Sequence, residues 1–233
     1  MDFVNAIILL LNYIFVTALT YGYQLALGEI FVTLIYGILR FANFATGDMM
    51  SFVTMFTILF TWYLQSVGIS LGVLPTALLA IPFAIIFMIG YMLLIDKYVF
   101  KYYRVNKSPP VQLAMVSIGV MFVTQAVVRI IIGPSDRRFF DGEKFLIKAG
   151  EFKEMTGLNE GLAMKSTQVL TIIVTLVLIS NLFWYLNKTK TRKSMRAYSD
   201  NEDLALLSGI DPKKIVMITW VIAGILATIG GAL

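Results

Sequence analysis

Val73-Leu-Pro-Thr-Ala-Leu-Leu-Ala-Ile-Pro-Phe-Ala-Ile-Ile-Phe-Met-Ile-Gly-Tyr-Met-Leu-Leu-Ile95 runs for 23 residues without one charged side chain. A helix rises 1.5 Å per residue, so crossing a ~30 Å hydrocarbon core takes about 20 apolar residues. This run suffices. Pro75 lies near its start, where proline is tolerated, and Pro82 farther in, where a kink is expected. Runs of the same kind cover about 49–66, 111–132 and 167–187, and another starts at Pro212 and continues to Leu233. The first apolar stretch, Phe3 to Ile38, is too long for one span. Tyr21-Gly22-Tyr23-Gln24 and Glu29 interrupt it, so it reads as two spans with a tight turn, or as one span plus a broken helix. Its start has no basic region and no small-residue cleavage site, so no cleavable signal peptide is expected. The expected fold is all-α: a polytopic membrane helix bundle of about six or seven transmembrane helices in one domain, 1–233.

Composition agrees. Of 233 residues, 58% are hydrophobic and 14% charged, with a mean hydropathy of +0.81. Soluble domains carry about 45–50% apolar and about 25% charged residues, so this chain has too little polar surface to cover its apolar part in water. A soluble enzyme, a secreted module and a nucleic-acid binder are excluded, although the pI is about 9.3. There is no cysteine and no histidine. Disulfides, thiol chemistry and Cys/His metal sites are therefore absent, and so is the usual general base. No catalytic, cofactor-binding or metal-binding residue is expected. Transport, channel activity or a passive assembly role remain.

The loops set the orientation. Segment 96–110 holds Lys97, Lys101, Arg104 and Lys107 against Asp96, and segment 188–213 holds six basic residues against four acids. Segment 133–166 is balanced, with six of each. By the positive-inside rule the two basic loops face the cytoplasm and 133–166 lies outside. The last run ends on Gly-Gly-Ala-Leu without an interfacial anchor, so a C-terminal truncation is expected. Trp62, Tyr63, Trp184 and Tyr185, near span ends, read as interfacial anchors. Ala223, Ala227 and Gly231, four residues apart, would let another helix approach closely.

Three segments could carry function. In the second basic loop, Ser199 or Asp200 can cap a short helix, about 200–208, with Glu202 and Asp203 in its first turn. Leu204 and Leu207 fall on one face, and Gly209 suits the left-handed stop. Asp211 and Pro212 then open the next helix. This helix either lies on lipid headgroups or docks into a groove on a cytosolic partner. The second segment is the polar break Asn43-Phe44-Ala45-Thr46-Gly47-Asp48. It reads as a substrate path lined by broken helices, or as a turn with Asp48 capping the next helix. Glu29 is the third. It is an intramembrane acid, functional by default, unless the stretch breaks near Gly28 and Glu29 caps a helix at an interface.

Four separated stretches then resemble one family. Leu34-Ile-Tyr-Gly-Ile-Leu-Arg-Phe-Ala-Asn-Phe-Ala-Thr-Gly-Asp48 is similar to a segment of the permeases of branched-chain amino acid ABC transporters. So are Pro110-Val-Gln-Leu-Ala-Met-Val-Ser-Ile-Gly119 with Gln125 and Ile132-Gly-Pro134, the loop from Met195-Arg-Ala to Leu207-Ser-Gly-Ile210, and Leu226-Ala-Thr-Ile-Gly-Gly-Ala-Leu233. The match looks closest to the LivH-type subunit. The resemblance implies an amino-acid importer in the bacterial inner membrane, with leucine, isoleucine and valine as substrates. It implies a second, LivM-like permease subunit, two cytosolic ATPases and a periplasmic amino-acid-binding protein as partners. Helix 200–208 would be the coupling helix, with Arg196, Glu202, Leu204, Ala205, Leu207, Gly209 and Ile210 meeting the ATPase. ATP hydrolysis would belong to the partners, so this chain is not itself an enzyme. Thr46 stands where the family's usual histidine is found. The stretch Gly28-Glu-Ile-Phe31 is bulkier and more polar than the family pattern. A urea or short-amide ABC permease, and an ion-coupled transporter or channel using Glu29, Asp48 and Arg129, are the competing readings.

Overall fold

The computed structural model describes residues 2–69, 74–135, 145–156, 161 and 163–232. Helix α1 spans Phe3–Leu39, with one π-helical turn at Leu11–Phe15. The expected break at 21–24 or Glu29 is not there. Gly22 and Gly28 are tolerated inside a helix whose other residues are overwhelmingly apolar, and a polar side chain interrupts no backbone hydrogen bond. Helix α2 is Thr46–Ser66 and α3 is Ala77–Val105, with a second π turn at Asp96–Phe100. Most of the expected loop 96–110 is thus the end of α3. Helix α4 is Pro110–Ile132. Beyond it, Phe145–Ile147 (β1), Ala149–Thr156 (α5) and Met164–Lys165 (β2) are described, and the two strands pair antiparallel. Part of the expected outer loop 133–166, and of the turn at Gly68–Gly72, lies outside the described residues. Helix α6 is Ser166–Lys188, α7 is Lys190–Asp200, α8 is Glu202–Leu207 and α9 is Pro212–Ala232.

Among the described residues, α1, α3, α4, α6 and α9 are long and apolar enough to cross a membrane. Helix α2 is a sixth long helix of 21 residues, less apolar because threonines and Asp48 interleave its core positions. A polytopic helical bundle is the result, and α1 counts once rather than twice.

Helix α9 is central. In its apolar stretch 56% of residues are buried, against 11–22% in the other four spans. It packs on α1, α3 and α2. The small residues foreseen there do this work: Ala223 and Ala227 are fully buried, and Gly231 lies against Thr54 and Met50 of α2. Helices α2 and α3 join through rings, with Phe52 stacked on Phe87, Phe87 on Phe56, and Phe60 against Phe83. Offset aromatic pairs of this kind add about 0.5–1.5 kcal/mol each beyond area burial. Five buried threonine hydroxyls are satisfied within their own helices, whereas the buried Thr175 Oγ1 has no partner among the described residues. Thr57, Thr61, Thr124, Thr219 and Thr228 donate to carbonyls four residues back, at 2.7–2.9 Å. An apolar medium offers no other acceptor.

Candidate functional site

The polar break between α1 and α2 is a tight, hydrogen-bonded turn. Arg40 ends α1 in the left-handed region, φ 58°. Asn43 is buried and works inside the turn: its Oδ1 accepts from the Ala45 amide at 3.1 Å, and its carbonyl accepts from Thr46 Oγ1 at 3.1 Å. The Phe44 amide donates to Ser117 Oγ of α4 at 3.0 Å, while the Phe44 ring is exposed. Asp48 sits half-buried in the first turn of α2, where a helix favours an anion. Of the five path residues expected from sequence, Thr46 and Gly47 face a cavity of about 670 Å³. Tyr21, Gln24, Leu25, Gly28, Glu29, Val32 and Thr33 of α1 line its other wall, closed by Met50 of α2 and by Gly230 and Gly231 of α9. The structure therefore joins two segments read separately in the sequence, Glu29 and the polar break. Glu29 caps nothing, because it lies in the interior of α1.

A second groove, about 550 Å³, runs between α1 and α6. Arg192 and Arg196 lie at its α7 end. Arg196 lines this groove together with residues of α1 and α6.

That short helix is α8, and its cap is Asn201, not Ser199 or Asp200. Those two residues belong to α7, and Asn201 Oδ1 accepts the Leu204 amide at 3.1 Å. Gly209 ends it at φ 77°, with the Ile210 amide reaching back to the Ala205 carbonyl at 3.0 Å. These are the bonds of a Schellman stop, which needs a residue free to adopt positive φ. Asp211 Oδ1 then accepts the Lys213 amide at 2.9 Å and opens α9. Ala205 is buried, whereas Leu204 is 61% and Leu207 85% exposed. Helix α8 is anchored by Ala205 and exposes three leucines, Leu204, Leu206 and Leu207, of which Leu204 and Leu207 share a face.

Three sets of bonds tie this corner to the spans. Arg40 Nε donates to the Ser199 carbonyl at 2.9 Å, and Ser199 Oγ bonds the Gly37 carbonyl. Lys107 Nζ meets Asp203 Oδ1 at 2.9 Å. Deeper, Arg104 grips Asp96 with both terminal nitrogens, at 2.6 and 2.9 Å, and Trp220 Nε1 donates to the same carboxylate at 2.7 Å. Phe100 stacks on Trp220, with 5.7 Å between ring centres. Sequence reasoning missed this cluster because it counted Asp96 and Arg104 as loop charges. Their spacing of eight residues, two turns of one helix, was the available signal.

Tyr198 is buried beside this cluster. Burial pushes its phenol up to about 12, and Glu202 adds to the rise. The folded chain thus keeps a proton that an unfolded tyrosine releases near pH 10. The associated stability is complete below pH 10 and is lost as pH climbs through about 12. The thermal unfolding midpoint should fall across that interval, and Tyr198→Phe should fall less. Equal slopes for the two proteins would contradict this placement.

The family model described as branched-chain amino acid transport system / permease component matches residues 10–233. No curated protein and no solved structure matches the chain.

Proposed function

We propose that this chain, which belongs to the branched-chain amino acid transport permease family, is a membrane subunit of an ATP-driven importer for leucine, isoleucine and valine. It acts as the LivH-type subunit in a bacterial cytoplasmic membrane. Its partners are a LivM-like permease subunit, two cytosolic ATPases and an amino-acid-binding protein on the outer side. The observation that carries the reading is α8. A helix held by Ala205 and presenting Leu204 and Leu207 to water is a knob without a socket, and apolar side chains gain by entering a groove.

The bonds around α8 give it a mechanical role. When the ATPases close on ATP, α8 moves with them. Arg40 and Ser199 pass that motion to the end of α1, Lys107 passes it to the end of α3, and Trp220 ties in α9. These three helices, with α2, bound the cores of both the bundle and the 670 Å³ cavity or pack directly on them. Thr46 and Gly47 then belong to the substrate path, with Asn43, Phe44 and Asp48 holding the turn that places them. Arg196, Glu202, Gly209 and Ile210 shape and support the docking corner.

Co-expression with the neighbouring ATPase and permease genes tests this. In detergent the ATPase should co-purify with the wild-type chain. Leu204→Asp combined with Leu207→Asp should lose it, while membrane insertion stays intact. A well-inserted wild type that retains no ATPase would sink the importer assignment. Unchanged retention by the double variant would sink the docking role of α8.

A further inference from the structure

We infer that Glu29 is the counter-charge for the α-ammonium group of the transported amino acid, held in the cavity between α1, α2 and α9. The inference deepens the importer reading and rests on it.

Depth comes first. Helix α1 is unbroken to Leu39, so Glu29 stands ten residues, about 15 Å, above the end that Arg40 ties to α7. A ~30 Å hydrocarbon core laid over the 37-residue helix from that end includes Glu29. A carboxylate at this depth is costly unless it meets a positive group or water. Glu29 is exposed on the helix and makes no hydrogen bond or ion pair with any described residue. Glu29 also lines the groove between α1 and α6, whose lining includes Arg192 and Arg196, yet among the described residues it forms no ion pair with either.

The cavity's chemistry selects the occupant. It offers a single negative charge and no positive one. Gln24 and Thr33, about one turn above and below Glu29, add a neutral amide and a hydroxyl whose side chains are likewise unpaired among the described residues. Leu25, Val32 and Met50 supply aliphatic wall. Gly28 and Gly47 add no side chain to the space. The complement of this surface is a small molecule with one cationic head, a hydrogen-bonding neighbour and an aliphatic tail. A neutral short amide lacks the charge, and a metal ion would need more than one carboxylate. Among the described residues no three acids gather to hold a metal.

The test uses the whole transporter in proteoliposomes, with its ATPases and binding protein, reading ATP-driven uptake of labelled leucine. Glu29→Gln keeps size and hydrogen bonding and removes the charge. Its uptake should fall about tenfold or more, the loss expected for one charge-assisted contact. Glu29→Asp should recover a large part of the rate. Both complexes should elute as wild type on gel filtration. Glu29→Gln uptake within about twofold of wild type overturns the inference. So does a Glu29→Gln complex that falls apart, because the carboxylate then pairs with the neighbouring subunit. A wild-type complex that hydrolyses ATP but moves no amino acid removes the importer reading instead, and the inference with it.

Discussion

Replacing Asp96 by alanine should cost about 3–5 kcal/mol of stability, the usual loss when one partner of a buried ion pair is removed. Both side chains of the Asp96–Arg104 pair are only 15% exposed. Alanine would strand the Arg104 guanidinium and also the Trp220 indole N–H, which has Asp96 as its acceptor. Two unsatisfied donors in one partly dry corner compound each other. Asp96→Asn keeps an acceptor for Trp220 and should lose less. Thermal unfolding in detergent, followed by tryptophan fluorescence, reads both. Trp220 is fully buried on Phe100 and reports directly on the corner. The Lys107–Asp203 pair makes the control. Its side chains are 75% and 67% exposed, so Lys107→Ala should leave unfolding unchanged. An Asp96→Ala midpoint close to that of Lys107→Ala would contradict the assigned role of the cluster.

How far residues foretold this structure depended on the kind of signal. The spans were legible because a run such as Val73–Ile95 has no stable alternative to a helix in lipid. Helix punctuation was legible where one residue type suits one backbone state, as at Gly209 and Asp211. The cap of α8 was misplaced by one or two residues, since Ser199, Asp200 and Asn201 are all good caps and only the fold chooses among them. The first helix was misread for a different reason. Polar and glycine residues at 21–24 and 29 look like a turn along the sequence. On the helix, Gln24, Gly28, Glu29 and Thr33 instead share one cavity wall, so they are a lining and not a break. The Asp96, Arg104 and Trp220 cluster joins residues up to 124 positions apart. No local pattern encodes such a meeting.

Gly231→Val should be the most damaging glycine substitution on α9, and geometry sets its size. A Cβ at Gly231 would lie 2.7 Å from Thr54 Oγ1 and 3.1 Å from the Met50 carbonyl oxygen. The hydroxyl could rotate away only by giving up its 2.8 Å bond to the Gly231 carbonyl. The carbonyl belongs to the α2 backbone and cannot yield. Helix α9 must therefore shift off α2, an overpacking penalty of about 1–3 kcal/mol. The shift also moves the cavity wall made by Gly230 and Gly231, so amino-acid uptake should fall with stability. Gly230→Ala should be milder, because its Cβ would meet the flexible end of Met50 at 3.2 Å as well as Leu27. Gly22→Ala meets nothing within 4 Å and should be neutral or slightly stabilising, as alanine is the better helix former. Unfolding midpoints of the three variants, measured with leucine uptake, give the order. If Gly231→Val unfolds with Gly22→Ala, α9 does not pack on α2 as described. If it is destabilised yet transports normally, the cavity between α1, α2 and α9 is not on the substrate's route.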